Sequence, residues 1–442
     1  MGNTGKIFTP FRIIILGFAG IILLGTLILM LPLSSSDGTS AHFSEALFTA
    51  TSAVCVTGLV VRDTATHWSV FGRSVILVLI QTGGLGIITV AASFSLLSGR
   101  KISLVQRSTM QKAISAQKVG GIADLTKFVI ISTFVIELAG ALLLMPFFVT
   151  RYGAKGIGMA VFHSVSAFCN AGFDVMGSST GEYTSLTSFT GNTGVNVVIM
   201  LLIVIGGIGF LTWDDVITNK LKFKHYRLQS KIVLVTSLIL IVFPALLFFF
   251  LDLKGLPLNE RILSSLFQSV TARTAGFNTV DLNRMTSAGQ SVLIVLMLIG
   301  GSPGSTAGGM KTTTVAVLLA NVHSCIRQQG EVHCFKRRID NDAVKTASTL
   351  LLMYIVLCFG GASVINISDG IPFYQCLFET ASAIGTVGLT LGITTQLGAL
   401  SQGILIVLMF IGRVGGLTLI YAALKKQTNT NSKLPLERIT VG

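Results

Sequence analysis

Near its C-terminal end the chain reads Ser382-Ala-Ile-Gly-Thr-Val-Gly388, and three related segments lie upstream. They are Ser52-Ala-Val-Cys-Val-Thr-Gly58, Ser166-Ala-Phe-Cys-Asn-Ala-Gly172 and Thr271-Ala-Arg-Thr-Ala-Gly276. The closing glycines are separated by 114, 104 and 112 residues. A Phe lies nine or ten residues before each of these glycines, at positions 48, 162, 267 and 378. The chain therefore repeats one unit of about a hundred residues four times.

Composition places this repeated unit in a lipid bilayer. Of the 442 residues, 51% are hydrophobic and only 11% are charged, and the mean hydropathy is +0.78. These values lie far outside the range of water-soluble domains. A spanning helix needs roughly 20 apolar residues, and eight stretches qualify: 11–33, 73–97, 126–150, 193–213, 230–252, 289–321 with an interruption, 346–366 and 402–424. We predict an all-α integral membrane protein with eight transmembrane helices.

The net charge of +14 is concentrated on one side of these predicted spans. Most of the 32 Lys and Arg residues lie in the N-terminus, in the loops that join successive units and in the C-terminal tail; examples are Arg100, Lys101, Arg107, Lys112, Lys220, Lys222, Lys224, Arg337 and Arg338. Cytoplasmic loops carry such an excess, so both termini are predicted to be cytoplasmic. The basic side chains can contact anionic membrane lipid, and the lack of a recognition module argues against nucleic-acid binding.

Each unit has the pattern of a spanning helix, a short half-helix with a loop, and a second spanning helix (M1–P-loop–M2). In the first unit, residues 43–55 are too few to cross a bilayer, and Gly58 permits the backbone to turn back. The predicted units are 1–119, 120–227, 228–342 and 343–424, followed by a cytoplasmic tail at 425–442. Four covalently linked units with four re-entrant pore loops predict pseudo-fourfold symmetry.

Each second spanning helix carries a residue pair that predicts a break near its middle. The pairs are Gly83-Gly84, Gly206-Gly207, Gly300-Gly301 and Gly412-Arg413. Neighbouring glycines kink a helix or allow another helix to approach closely. We expect a break at each pair, and close packing alone is the alternative for the first two units.

The four Gly-ended loops form the predicted ion-binding site. Bare main chain at membrane depth is tolerated only where protein or water satisfies it, and the C-terminal ends of four half-helices favour a cation through their dipoles. Carbonyl oxygens can then replace the water shell of potassium, as in the Thr-Val-Gly-containing filter of potassium channels. The predicted selectivity filter consists of Val56, Thr57, Gly58, Asn170, Ala171, Gly172, Thr274, Ala275, Gly276, Thr386, Val387 and Gly388.

Unit three contains a Gly-, Ser- and Pro-rich stretch between two apolar runs, which predicts an intramembrane gating loop over 300–311. Arg413 stands where the other units have a second Gly. A charge at the bilayer centre costs at least roughly 3 kcal/mol, so we expect Arg413 to face the cavity under the filter or to pair with carbonyls of this loop. A nucleotide-binding P-loop is disfavoured because Met310 precedes Lys311. The predicted gate consists of Gly300, Gly301, Ser302, Pro303, Gly304, Ser305, Thr306, Ala307, Gly308, Gly309, Lys311 and Arg413.

Two other charged side chains also need partners in this setting. Arg273 would repel cations if it faced the ion path, so we expect it to point away and pair with an acid at the outer mouth: Asp63, Asp174 or Asp281. These acids could also concentrate cations there; the alternative is that they are ordinary solvated carboxylates outside the membrane. Glu137, which is isolated in its apolar stretch, is expected to pair within the helix bundle.

With these motifs in place, the chain resembles the Trk/Ktr/HKT superfamily of cation transporters, and most closely its KtrB branch, the membrane subunits of bacterial Ktr potassium uptake systems. The resemblance covers nearly the whole chain and rests on Val56-Thr-Gly-Leu59, Asn170-Ala-Gly-Phe173, Arg273-Thr-Ala-Gly-Phe-Asn278 and Gly385-Thr-Val-Gly-Leu-Thr390. It implies that the closing glycines are filter glycines and that 300–311 and Arg413 form the gate. In plant relatives a Ser at the first filter glycine accompanies sodium transport, so Gly58 favours potassium.

The resemblance also implies a homodimer in a bacterial cytoplasmic membrane, regulated by a separate cytoplasmic nucleotide-binding ring of the KtrA type. The chain itself would bind no nucleotide; potassium is its cargo, and coupling to sodium is left open. A transporter of organic solutes would show inverted repeats. An enzyme would need paired catalytic groups, whereas His163 near the second loop lacks an obvious partner. The predicted function is therefore potassium uptake, without enzymatic activity.

Overall fold

The computed structural model describes residues 10–87, 89–90, 109, 122–220, 222–416 and 418. The regular secondary structure of this part is helical, apart from a short antiparallel hairpin in which β1 (His333–Cys334) pairs with β2 (Arg337–Arg338). The predicted unit boundary at 119–120, the predicted tail at 425–442 and the basic residues Arg100, Lys101, Arg107 and Lys112 lie outside the described residues.

The described part of the chain contains sixteen α-helices. They are α1 (Pro10–Leu29), α2 (Phe43–Val54), α3 (Thr64–His67), α4 (Val70–Leu85), α5 (Ile122–Tyr152), α6 (Lys155–Phe168), α7 (Gly177–Thr180), α8 (Thr193–Ile208), α9 (Phe210–Asn219), α10 (Leu228–Leu251), α11 (Leu258–Thr271), α12 (Ser287–Leu298), α13 (Thr312–Ile326), α14 (Asn341–Asp369), α15 (Phe373–Gly385) and α16 (Ala399–Val414).

Four of these helices, α1, α5, α10 and α14, are continuous and are long and apolar enough to cross a bilayer. Large hydrophobic side chains such as Leu23, Leu138 and Leu246 are exposed on them. Apolar surface of this kind is stable only against lipid or another protein. The other four predicted spans correspond to shorter or broken helices. The described residues thus hold four continuous spans, or five when the bent α8–α9 pair is counted.

Four short helices, α2, α6, α11 and α15, each precede one of the recurring loops, and we call them the loop helices. With 12 to 14 residues each, they are too short to cross a bilayer. Their recurring phenylalanines are buried, with exposed fractions of 0 to 5%. Burial of aromatic side chains dominates the packing energy of such a core. The loop helices therefore lie inside the bundle.

The contacts between helices repeat in a cyclic order. Each loop helix packs on the long helix that precedes it, in the pairs α1–α2, α5–α6, α10–α11 and α14–α15. Each of α4, α8, α12 and α16 packs on the loop helix of the following unit, in the pairs α4–α6, α8–α11, α12–α15 and α16–α2. The last pair returns to the first unit, so the series closes on itself.

The helix breaks lie close to the predicted glycine pairs but not at them. In three units the helix ends two residues further on, at Gly86, Gly209 and Gly415, whose φ angles of 84°, 98° and 88° are in the region that favours glycine. At Gly209 the chain bends by 96° into α9. In unit three, α12 ends just before the pair, and 299–311 separates it from α13.

The pairs themselves have a packing role instead. A Cβ atom on Gly83, Gly206 or Gly412 would overlap the backbone carbonyl of a residue in the last turn of a loop helix: Val54, Phe168 and Ile384, respectively. Glycine is therefore needed there for close approach. The predicted break at the pair itself is wrong for these three units, whereas the close packing given as the alternative for the first two units is confirmed. The turn needs a positive φ, and the contact needs only a missing side chain.

Candidate ion-binding site

The four predicted filter segments, which we call the ring loops (56–58, 170–172, 274–276 and 386–388), share one backbone conformation. The first residue of each has a positive φ: Val56 at 56°, Asn170 at 58°, Thr274 at 70° and Thr386 at 52°. The closing glycines are also positive, at 94°, 68°, 82° and 94°. Left-handed conformations cost non-glycine residues about 1–2 kcal/mol each. Their recurrence at matched positions means that the surrounding structure imposes the same turn four times.

The ring loops contact one another head to tail. A Cβ atom on Gly58 would lie 2.5 Å from the Ala171 carbonyl oxygen, and one on Gly172 would lie 2.9 Å from the Ala275 carbonyl oxygen. At Gly276 and Gly388 the overlap is closer still, with the carbonyl oxygens of the next two loops, Val387 and Thr57. The fourth loop thus meets the first. The four closing glycines and four carbonyls form a closed ring.

In each unit, the hydroxyl group of the first residue in the recurring segment hydrogen-bonds to the backbone of the closing glycine or of the residue after it. Ser52 and Ser382 accept hydrogen bonds from the N–H groups of Gly58 and Gly388, at 3.1 and 3.0 Å. Ser166 donates to the Phe173 carbonyl at 2.7 Å. Thr271 donates to the Phe277 carbonyl at 2.8 Å. Sequence reasoning missed this role, although the signal was present: a Ser or Thr opens every recurring segment.

Several oxygens in the ring loops have no partner in the protein. The buried side-chain oxygens of Thr57, Asn170, Thr274 and Thr386 make no hydrogen bond within the described part of the chain. Buried polar groups are nearly always paired, so unpaired ones need an explanation such as an ion or water. Oxygen ligands are the ones that hard, weakly polarising cations take. The ring loops therefore present buried oxygen atoms of the kind that bind cations or water.

The segment 300–311 is hydrogen-bonded to the helix breaks around it. Within the segment, Gly300 donates to the Met310 carbonyl at 2.7 Å. The N–H groups of Ser302 and Thr306 donate to the carbonyls of Gly207 and Gly206, at 3.0 and 3.3 Å. Other bonds join the segment to unit two and unit four: Phe210 to Gly304 at 2.8 Å, and Gly309 to Gly412 at 3.2 Å. This stretch is therefore an ordered, non-helical part of the bundle.

The same segment lies directly against two of the ring loops. The Thr306 hydroxyl donates to the Phe168 carbonyl at 3.0 Å and is 3.3 Å from the Asn170 amide nitrogen, which can donate to it. A Cβ atom on Gly308 would overlap the Thr386 side chain. The segment thus covers one face of the ring at loops two and four.

Arg413 joins the segment to unit one. Its guanidinium donates to the carbonyls of Thr306 and Gly83, and to that of Gly84 at 3.1 Å. Lys311 donates to the carbonyls of Ala307 and Gly308, at 2.8 and 3.3 Å. Neither cation forms an ion pair with an acid among the described residues. Pairing of Arg413 with a carbonyl of the segment is confirmed, and both side chains take backbone carbonyls as their partners.

A cavity of about 330 Å³ lies on the far side of the segment. Its walls include 304–305, Lys311 and Arg413, together with Phe18 and Tyr354. None of the ring glycines lines this cavity in the described part of the chain. The segment and Arg413 therefore separate the ring from the cavity.

The predicted partner of Arg273 is wrong. Arg273 is 7% exposed, and its guanidinium donates to the Ser237 hydroxyl on α10 at 3.1 Å rather than to Asp63, Asp174 or Asp281. Asp63 instead accepts hydrogen bonds from backbone N–H groups, including that of Tyr183 at 3.1 Å. The prediction that Glu137 pairs within the bundle is confirmed, since Gln81 donates to its carboxylate at 3.1 Å.

Acidic side chains lie beyond the ring on the side opposite the segment. A cavity of about 790 Å³ is lined by Asn278 and Thr390, each two residues past a ring glycine, and by Asp252, Glu260 and Asp281. Asp174 occupies the same position after Gly172 and is half-buried. Burial raises the pKa of Asp174 to about 6, and Asp63 acts in the same direction. The charge of Asp174 therefore changes in a mildly acidic medium.

The chain is similar over nearly its whole length to known cation transport proteins. Residues 9–433 match the TrkH family of cation transport proteins. The chain is 38% identical to the potassium/sodium uptake protein NtpJ of Enterococcus hirae, over 99% of this chain and 98% of that protein. It is also 38% identical to the Ktr system potassium uptake protein B of Bacillus subtilis, over 98% and 97% of the two chains.

The fold is also similar to a solved structure. The crystal structure of the potassium transporter TrkH from Vibrio parahaemolyticus matches with a TM-score of 0.74, at 19% sequence identity, over 96% of this chain and 87% of that chain. At this identity the likeness concerns the fold.

These findings define a multi-pass membrane protein of the cation-transporter class and not an enzyme. The chain belongs to the TrkH family of cation transport proteins. The resemblance inferred from the sequence motifs is confirmed.

Proposed function

We propose that this chain takes up potassium across the cytoplasmic membrane through the ring formed by its four ring loops. In this proposal the chain has four M1–P-loop–M2 units, eight spans and pseudo-fourfold symmetry, with the unit boundaries predicted above. The observation that carries the proposal is the head-to-tail closure of four loops with one backbone conformation. A closed ring of equivalent carbonyls is the arrangement that selects among alkali cations.

Two features of the ring suit a dehydrated potassium ion. The carbonyls of Thr57, Ala171, Ala275 and Val387 recur at one position of the loops, and we infer that they face the ion path. The unpaired oxygens of Thr57, Thr274 and Thr386 offer further ligands. The loop helices also direct the negative ends of their dipoles toward the ring loops. Together these groups can replace the water that the ion sheds.

In the same proposal, segment 300–311 and Arg413 form the gate. The segment lies between the ring and the 330 Å³ cavity, and Arg413 and Lys311 place positive charge beside it. Because like charges repel in a poorly solvated site, a cation cannot pass until this region moves. Opening would require the hydrogen bonds from Arg413 to Thr306 and Gly83 to break.

The regulatory partner and the orientation are also proposals. A relative named as a component of a Ktr system supports other Ktr components as partners, and we propose a homodimer regulated by a separate nucleotide-binding ring of the KtrA type. The distribution of basic residues supports cytoplasmic termini. Because the relative NtpJ is named as a potassium/sodium uptake protein, the test also measures whether uptake depends on sodium.

The experiment is uptake of isotopic potassium into proteoliposomes that contain the purified chain. It is run with and without sodium and with and without the candidate regulatory ring. We expect potassium uptake that exceeds sodium uptake, with the ring altering its rate. If folded protein gives no potassium uptake above empty liposomes in any of these conditions, the proposed function is wrong.

A further inference from the structure

The residue that follows the recurring Phe in each loop helix is polar and buried. These residues are Thr49, His163, Gln268 and Glu379, with exposed fractions of 1%, 0%, 0% and 0%. Burial of a polar side chain is unfavourable unless it is hydrogen-bonded. A buried polar residue at the same helical position in all four units is therefore expected to have a hydrogen-bond partner in each unit.

Three of the four leave polar atoms without partners. In the described chain, the Thr49 hydroxyl, one ring nitrogen of His163 and both amide atoms of Gln268 make no hydrogen bond. Glu379 differs, because both of its carboxylate oxygens are engaged. Thr390 donates to one oxygen at 2.9 Å, and Thr394 donates to the other.

The Glu379 contacts join two different parts of unit four. Glu379 lies in the middle of α15, whereas Thr390 is the second residue after the ring glycine Gly388. The Thr390 hydroxyl also accepts a hydrogen bond from the Gly392 N–H at 2.9 Å. The carboxylate thus fastens the stretch of chain that leaves the ring, on the side away from segment 300–311.

Unit three shows the same position without the fastening. Gln268 corresponds to Glu379, and Asn278, two residues after Gly276, corresponds to Thr390. The side-chain oxygen of Asn278 and the amide of Gln268 are both unpaired in the described structure. The brace behind the ring therefore exists in unit four and is missing from its counterpart in unit three.

The hydrogen-bonding capacity of the three side chains agrees with an acceptor at the centre. Each threonine hydroxyl can donate one hydrogen, and each oxygen of a carboxyl group can accept one. Thr390 and Thr394 each direct their one hydroxyl hydrogen at a different oxygen of the Glu379 carboxyl group. A replacement that cannot accept would free both threonines.

We propose that Glu379 is a positioning residue that holds 388–394 in place behind the ring and so sets the discrimination between potassium and sodium. The proposal rests on the proposed function, because it assigns selectivity to the same ring. Sodium is smaller than potassium, and a ring must contract to replace its water shell. A ring segment fixed from behind resists that contraction.

The test compares the ratio of potassium to sodium uptake among variants in proteoliposomes, normalised to folded protein. Glu379→Ala and the double variant Thr390→Val/Thr394→Val should each lower the ratio by about tenfold, as expected for the loss of two buried hydrogen bonds. Glu379→Gln should keep most of the ratio, since an amide can accept from one threonine and donate to the other. Gln268→Ala, the matched control at the unbraced position, should leave the ratio unchanged.

Failure of the Glu379 proposal and failure of the proposed function give different results in this assay. A wild-type ratio in Glu379→Ala and in the double threonine variant overturns the proposal, as does an equal loss in Gln268→Ala. If Glu379→Ala does not fold, the double threonine variant, which keeps side-chain shape, decides. Lack of potassium uptake by the unmodified chain would overturn the proposed function itself, which the same assay shows separately.

Discussion

The ring loops and segment 300–311 are both irregular backbone inside a helical bundle, but they are built differently. Each ring loop repeats one turn, one hydroxyl fastening and one contact with its neighbour. Segment 300–311 occurs once and is held by bonds to units two and four, while Arg413 joins it to unit one. The ring therefore depends on equivalence among the units, whereas the barrier depends on one unit departing from it.

The largest expected effect comes from closing the space at one junction of the ring. In Gly388→Ala the new Cβ would overlap the Thr57 carbonyl. We expect potassium uptake to fall by about a hundredfold, since overpacking of this kind costs up to about 3 kcal/mol. The measurement is the initial rate of potassium uptake into proteoliposomes, compared between Gly388→Ala and wild type.

Gly392→Ala is the matched control for that substitution. Its φ of 93° is almost the same as the 94° of Gly388, but nothing lies within 4 Å of its added Cβ. Backbone strain alone, about 1 kcal/mol, is then expected, with uptake within about twofold of wild type. If both variants lose uptake equally, strain and not ring closure explains the loss, and the ring is not continuous at this junction.

The second prediction tests the single-copy region. Arg413→Ala removes the hydrogen bonds to Thr306, Gly83 and Gly84 together with a positive charge. We expect potassium flux to rise about tenfold, which corresponds to about 1.4 kcal/mol of barrier. Deletion of 303–309 should act in the same direction.

Arg413→Lys sharpens this result. A lysine keeps the charge but cannot reach several carbonyls with a planar fork, so an intermediate flux would assign part of the barrier to the hydrogen bonds. A lower or unchanged flux in stably folded Arg413→Ala would contradict the gate.

A third prediction concerns the contact between Gly58 and the Ala171 carbonyl in the ring. Gly58→Ser places a Cβ 2.5 Å from the Ala171 carbonyl, a milder overlap than at Gly388. We expect uptake to persist but the potassium-to-sodium ratio to fall about fivefold, a difference of about 1 kcal/mol between the two ions. Gly38→Ser, with a φ of 73° and no neighbour within 4 Å, is the control. An unchanged ratio would remove Gly58 from the filter.

The smallest effect is expected from the charge at the outer mouth. Because burial raises the pKa of Asp174 to about 6, its carboxyl gains a proton as external pH falls through 6 and loses its attraction for cations. Initial potassium uptake should decrease about twofold between pH 7.5 and pH 5 at low salt. Asp174→Asn should abolish this part of the pH dependence.

Asp37 provides the comparison for that measurement. It is exposed, and hydrogen bonds from the Thr39 backbone and hydroxyl lower its pKa, so it stays ionised over the same range. Asp37→Asn should therefore leave the pH profile as it is. A profile that is unchanged in Asp174→Asn would show that another group titrates at the mouth.

Repetition made much of the fold predictable from the sequence. The four loop helices end within the Gly-centred segments, as expected from short apolar helices followed by a turn-forming Gly at a recurring spacing. The positive φ of Val56, Thr274 and Thr386 could not be predicted, because β-branched residues rarely adopt it. Only contacts between units impose it, and a single sequence does not display such contacts.

The contacts of single residues were less predictable than their positions. Arg273 could be expected to turn away from the ring, but its partner Ser237 lies on another helix and carries no charge. The Glu379 brace was also missed, because a lone Glu in a short helix resembles a solvent-facing residue. Ion pairs are a natural first expectation for buried charges. Here hydroxyl and carbonyl groups take that place.

The closed contact between Gly388 and Thr57 has a consequence for biosynthesis. These residues belong to the last and first quarters of the polypeptide, so the circuit of loops stays open until translation is nearly finished. A nascent chain with three inserted quarters would already be embedded in lipid. Its incomplete ring would lack the full set of carbonyl ligands that an alkali cation needs. Truncation by premature termination should thus yield an inert product and not a leak.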